Sequence, residues 1–132
     1  MIEKNSPQAL MATLTELTGH MEMPPLWALG YHQCRWNYNP DTRVKEIADS
    51  LRYYKIPSDV IWLDIDYMDQ FKIFTFHKEE FSKPKELNDY LHDKNFKSVY
   101  MIDPGVKVEK GYFVDDQGTA ADYWVKDENG KT

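Results

Sequence analysis

Val60-Ile61-Trp62-Leu63-Asp64-Ile65-Asp66-Tyr67-Met68-Asp69 decides how this chain folds. Four apolar residues, too few for a helix, break abruptly into an acidic segment. An apolar run of that length reads as a strand covered on both faces, the kind that parallel sheets contain. Carboxylates placed where such strands end sit at the rim where α/β folds keep their ligand sites. The pattern recurs downstream, where Val99-Tyr100-Met101-Ile102 runs into Asp103-Pro104-Gly105. Aligned without a gap from Lys55 and Lys94, the two segments share the lysine, the valine and the closing aspartate, with Leu63 matched to Ile102. Asp103 lies 39 residues after Asp64.

Outward from these two strands, helical and turn signals alternate. Ser6-Pro7 predicts a helix start, with Ser as N-cap and Pro in the first turn, then Leu10, Met11, Leu14 and Leu17 at helical spacing and Gly19 as the stop. Pro24-Pro25 separates that helix from Leu26–Tyr31, which predicts a first buried strand. Asn39-Pro40-Asp41 is turn chemistry. It leads into a second helix with Val44, Ile47, Ala48, Leu51 and Tyr54 on one face, ended before Pro57. Phe71–Phe76 reads as a short hairpin or ordered loop, and Ser82 and Pro84 open a third helix with Leu87, Tyr90 and Leu91 on one face. After Pro104 the pattern changes. Glycines punctuate Tyr112-Phe113-Val114 and Tyr123-Trp124-Val125, which read as small strands of an excursion, and residues 126–132 read as an exposed turn.

Strands alternating with amphipathic helices imply parallel strands with right-handed crossovers. Trp36, Asp64 and Asp103 each follow a strand, the placement that the C-terminal face of a (β/α)8 barrel produces. Such a barrel takes roughly 250 residues, and only three strands are visible here. The fold class read from the sequence is therefore α/β, a partial TIM barrel of three strands with a short β-rich excursion. The expected division is 1–23 helix and linker, 24–104 barrel, 105–132 excursion.

Composition narrows the function. The net charge is −6 from 16 basic and 22 acidic side chains, with pI about 5.1, and no basic run occurs. Both argue against nucleic acid as a partner. No run of about 18 apolar residues is present to span a membrane. The start Met1-Ile2-Glu3-Lys4-Asn5 lacks the regions of a signal peptide. A single cysteine, Cys34, suits a reducing compartment, so the expected location is cytoplasmic.

The acidic segment does not have the ligand spacing of an EF-hand, and no metal or cofactor motif is found. Asp66 and Asp69 are as readily caps or solvated charges as ligands, whereas Asp64 closes a buried run and has a counterpart in Asp103. Carboxylates at strand ends, flanked by aromatics, suit a hydroxyl-rich ligand: the oxygens accept from hydroxyls while a ring covers the C–H face. Trp36 is either core packing or such a platform, and its position after a strand favours the platform. His32 reads as a satisfied structural histidine, Cys34 as buried packing, and Glu79-Glu80 and Asp115-Asp116 as solvated charges.

Residues 24–38, from Pro24-Pro25-Leu26-Trp27 through His32-Gln33-Cys34-Arg35-Trp36-Asn37-Tyr38, followed by Trp62–Asp69, resemble family 31 of the glycoside hydrolases, the α-glucosidase group. Phe74-Thr75-Phe76 and Ile102-Asp103-Pro104-Gly105-Val106 extend the resemblance over nearly the whole chain. It implies a catalytic (β/α)8 barrel acting on α-linked glucosides with retention, using two carboxyl groups about 5–5.5 Å apart. By position, it implies that Asp64 binds hydroxyls of the terminal glucose, that Ile65 walls the pocket, that Trp36 is an aromatic of the same subsite, and that Asp103 supports the site. The family nucleophile lies in a Trp-x-Asp-Met-Asn-Glu segment on the next strand, and the general acid lies farther on. Neither occurs in these 132 residues, nor does the β-sandwich domain that precedes the barrel.

The expected function is thus a fragment of a retaining α-glucosidase-like hydrolase that carries part of the sugar subsite but no catalytic residue. The alternatives are a non-catalytic carbohydrate-binding or interaction module, and another specificity within the family such as α-xylosidase. Cut strand edges predict self-association.

Overall fold

The computed structural model describes residues 3–131, so Met1, Ile2 and Thr132 lie outside the described residues. Three parallel strands form one sheet in the order β1 (His32–Gln33), β2 (Val60–Leu63), β3 (Lys97–Tyr100). Helices α2 (Asp41–Tyr53) and α3 (Pro84–Asp93) make the two crossovers. The core lies between these helices and the sheet: Val44, Ala48 and Leu51 of α2 and Leu87 and Leu91 of α3 pack with Ile61 and Leu63. Alternation along β2 puts Ile61 and Leu63 on that side and leaves Trp62 on the other face, the one that lines the site.

Both crossovers end alike. Ile56 N–H bonds to Leu51 O and Phe96 N–H to Leu91 O, each at 2.9 Å, with Lys55 (φ +55°) and Asn95 (φ +58°) in the left-handed turn between. Arg52 fastens the two ends together. Its guanidinium donates to Lys94 O at 2.8 Å and Ser58 O at 3.0 Å, and lies 3.7 Å from the centroid of the buried Phe96 ring.

Five expectations need correction. Leu26–Leu29 is a 3-10 turn rather than a strand: Pro25 (φ −64°) leads into a single turn closed by Ala28 N–H to Pro25 O at 2.9 Å. The strand that follows is only two residues long. It is held in place because Tyr31 O accepts from Asp59 N–H at 2.9 Å. Gly30 permits that approach, since a Cβ there would lie 1.8 Å from Asp59 Oδ2.

The third strand runs Lys97–Tyr100, two residues earlier than the gap-free repeat predicts. Val60 pairs with Lys97 and Leu63 with Tyr100, because the buried Phe96 fixes the point at which the chain turns from α3 into the sheet.

The excursion is helical, not β-rich: α4 spans Phe113–Ala120, and no strand occurs in it among the described residues. Asp115 is half-buried and Asp116 exposed, and both are bonded at its start. Asp115 accepts from Glu109 N–H at 2.8 Å and Asp116 from Gly111 N–H at 3.1 Å, where carboxylates also favour the helix N-terminus. Tyr112 is buried and donates to Ile73 O at 2.8 Å. Glu80 is likewise engaged, accepting from Asn39 Nδ2 at 2.7 Å.

Finally, Cys34 is exposed, not buried. It follows β1 in the loop at the strand ends, where no helix covers it.

Helix α1 (Pro7–Thr18) forms as its caps predict, with Ser6 Oγ accepting from Ala9 N–H at 3.1 Å and Gly19 at φ +92°. None of its residues is buried. The Phe71–Phe76 segment is an ordered loop held from both sides. His77 N–H bonds to Tyr67 O at 2.7 Å, and the largely buried Lys72 pairs with Glu109 at 3.0 Å and Asp69 at 3.5 Å.

Candidate functional site

All three strands point their C-terminal ends to one side, and the segments leaving them enclose an open hollow of about 560 Å³. Trp36 comes from the loop after β1. Trp62, Asp64 and Ile65 come from the end of β2, and Tyr100 to Pro104 from the end of β3. The four residues singled out from the sequence, Trp36, Asp64, Ile65 and Asp103, therefore line the same space.

Asp64 directly follows β2 and caps the 3-10 turn Ile65–Tyr67, with Oδ1 accepting from Ile65 N–H at 2.7 Å. Its Oδ2 has no hydrogen-bond partner among the described residues, which leaves an acceptor at the hollow. The turn is anchored beneath by Tyr67, which is buried and donates to Met101 O at 2.9 Å. Asp103 is exposed, at φ +45°, with its carbonyl accepting from Gly105 N–H at 2.6 Å. In the sheet register, residue 101 lies level with Asp64. Asp103 thus reaches the hollow from two residues farther along than its sequence counterpart.

The aromatic walls are polar at their edges. Trp62 Nε1–H donates to His32 Nδ1 at 3.1 Å, and His32 Nε2 faces Trp27 O at 3.3 Å. His32 is therefore the tautomer protonated at Nε2, packed between Trp27 and Trp62 at centroid distances of 6.5 and 6.1 Å. That is the structural role expected of it. Tyr100 donates to Asn88 Oδ1 at 2.9 Å, and burial pushes its phenol up to about 12. Although exposed, the Cys34 thiol is raised by desolvation from the surrounding loop and then by the neighbouring Asp64 carboxylate, which keeps it protonated.

Sequence reasoning did not foresee the part taken by Asp66. Its Oδ2 accepts from Trp36 Nε1–H at 2.9 Å and from Asn37 Nδ2 at 2.7 Å. The only sequence signal is its position two residues after Asp64, and its partners lie 29 and 30 residues away. Trp62 was read simply as a strand residue, and its place in the hollow follows from the face of the sheet it occupies, whereas Tyr100, level with Leu63, turns its ring to the helix side and borders the hollow from the strand end. Among the described residues no group of three or more His, Cys, Asp or Glu side chains is placed to hold a metal ion.

A rim of carboxylate acceptors and aromatic faces at the C-terminal ends of parallel strands is the ligand end of a (β/α) barrel. Residues 21–132 match the model of the glycosyl hydrolases family 31 TIM-barrel domain, and the chain belongs to that family. It is 41% identical over 121 residues to α-glucosidase 2 of Bacillus thermoamyloliquefaciens, covering 92% of this chain and 15% of that protein. The crystal structure of a family 31 α-glucosidase from Bacteroides thetaiotaomicron is 56% identical with TM-score 0.83, covering 99% of this chain and 22% of that one. The glucosidase II α subunit, solved in a Glc1Man2-bound form, is 40% identical with TM-score 0.90, covering 96% of this chain and 14% of that one. The chain thus spans about one seventh of the length of the α-glucosidase 2 and glucosidase II proteins that it matches.

Proposed function

We propose that these 132 residues are the part of a retaining α-glucosidase-like hydrolase that grips the terminal α-linked glucose of its substrate. The observation that carries the reading is the convergence of Trp36, Asp64, Ile65 and Asp103 on one hollow at the C-terminal ends of the strands. Asp64 accepts from sugar hydroxyls through its free Oδ2, and Ile65 forms the wall beside it. Trp36 covers the C–H face of the ring, and Asp103 supports the site from the end of the third strand. No residue of this chain is assigned as nucleophile or general acid.

The test pairs calorimetry with an activity assay on the 132-residue chain. The reading predicts saturable maltose binding in the millimolar range, lost in Trp36→Ala and Asp64→Ala, and no release of nitrophenol from 4-nitrophenyl α-glucoside. Absence of binding refutes the assignment of the hollow, and hydrolysis that depends on Asp64 refutes the division of labour.

We propose also that the isolated chain self-associates. The outer edges of β1 and β3 carry no further strand among the described residues, and exposed apolar side chains such as Ile102 and Trp36 border the sheet. Size-exclusion chromatography across a dilution series tests this. A mass that falls with dilution agrees with it, and a monomer at every concentration contradicts it.

A further inference from the structure

Trp36 is the most exposed of the large apolar residues that line the hollow. Its side chain is 65% exposed, it lies outside any regular element, and the next residue, Asn37, sits at φ +27°. Its indole N–H is held by one acceptor, Asp66 Oδ2, at 2.9 Å. The same oxygen takes Asn37 Nδ2 at 2.7 Å, and Asp66 O takes Asn39 Nδ2 at 3.4 Å. One aspartate therefore gathers three residues of the loop after β1. Its own position is firm, because it sits mid-turn between Ile65, bonded to Asp64, and Tyr67, bonded to Met101. Tight hydrogen bonds to a carboxylate are among the stronger polar contacts, and because the indole N–H lies in the ring plane, the bond restricts the ring's orientation as well as its distance.

We propose that Asp66 is the positioning residue for the sugar platform. It sets the plane of the Trp36 indole over the hollow, and through it the affinity for the glucosyl ring, without touching the sugar itself. This rests on the hollow being a glucoside site. Asp66 is outside the residues that line it, whereas Trp36 is among them.

The test uses the full 15N-labelled chain, in which four tryptophans give four indole N–H signals. Trp36→Phe identifies the signal of Trp36. In Asp66→Ala that signal is expected to move and to exchange faster with water, while Trp27, Trp62 and Trp124 keep theirs. Asp66→Asn, which retains one acceptor oxygen, should move it less. Maltose affinity should fall about tenfold in Asp66→Ala, the worth of one charged hydrogen bond, and less in Asp66→Asn. The double variant Asp66→Ala with Trp36→Phe should bind no more weakly than the weaker single variant, because both break the same link.

An unmoved Trp36 signal in Asp66→Ala overturns the proposal. So does unchanged maltose affinity in that variant while Trp36→Ala abolishes binding, or strictly additive losses in the double variant. If the wild-type chain does not bind maltose at all, the glucoside reading falls and the proposal with it. The indole signals then report the tether separately from the sugar.

Discussion

Leu63 and Tyr100 are register partners in neighbouring parallel strands. The chain therefore leaves β2 and β3 towards the same rim. This single relationship puts Asp64 and Asp103, far apart in sequence, beside one hollow. Antiparallel pairing of the same strands would have sent the two carboxylates to opposite ends of the sheet.

Arg52 is predicted to be a stability residue, remote from ligand. It bridges the two crossover ends through Lys94 O and Ser58 O and stacks on Phe96. Arg52→Ala should cost about 2 kcal/mol in urea denaturation, the scale of hydrogen bonds from a charged donor. Arg52→Lys should recover little, because a point ammonium cannot reproduce the planar fork. Maltose affinity should not change. A stability equal to wild type in Arg52→Ala would show that the bridge contributes nothing.

Alkaline stability is predicted to follow Tyr100. Folding raises its ionisation from the ordinary 10.0 to about 12 by burial. A phenol shifted upward contributes stability that is complete below about pH 10 and is lost as pH climbs towards about 12. Tyr67, Tyr90 and Tyr112 are also raised by burial, so absorbance titration at alkaline pH should show a group of late phenols from which the component at about 12 disappears in Tyr100→Phe. The variant should also lose less stability over that window. A titration curve of unchanged shape would contradict this.

Gly118→Ala is predicted to release Trp124. A Cβ at position 118 would lie 2.2 Å from the Trp124 ring, whose Nε1–H donates to Thr119 Oγ1 at 2.8 Å. Overpacking of this kind costs about 1–3 kcal/mol. The cost here should appear as a changed Trp124 indole signal and local loosening of α4, with the Trp36 signal unaffected. An unmoved Trp124 signal would refute the contact.

Some of this architecture was legible in the residues. β2 was plain because four apolar side chains cannot form anything longer, and α2 was plain because its stripe repeats for three turns. The apolar run at 26–31 misled, because it carries the composition of a buried strand while Pro24-Pro25 fix the backbone of a turn. Helix α4 was hidden by Gly118, a residue unfavourable in a helix, whose presence makes sense only once Trp124 is seen lying over it. The rim position of Asp64 was readable because it is a consequence of strand direction. The tether from Asp66 to Trp36 was not, because it joins two loops whose closeness depends on the parallel pairing of β1 with β2.

The most direct measurement is amide and indole mapping of the labelled chain during a maltose titration. A single carbohydrate pocket at the strand ends predicts concerted, saturable shifts at Trp36, Asp64, Ile65, Ile102 and Asp103, drawn from all three strand ends, with α1 and α4 silent. Shifts confined to one strand end, centred elsewhere, or absent at saturating sugar would contradict it.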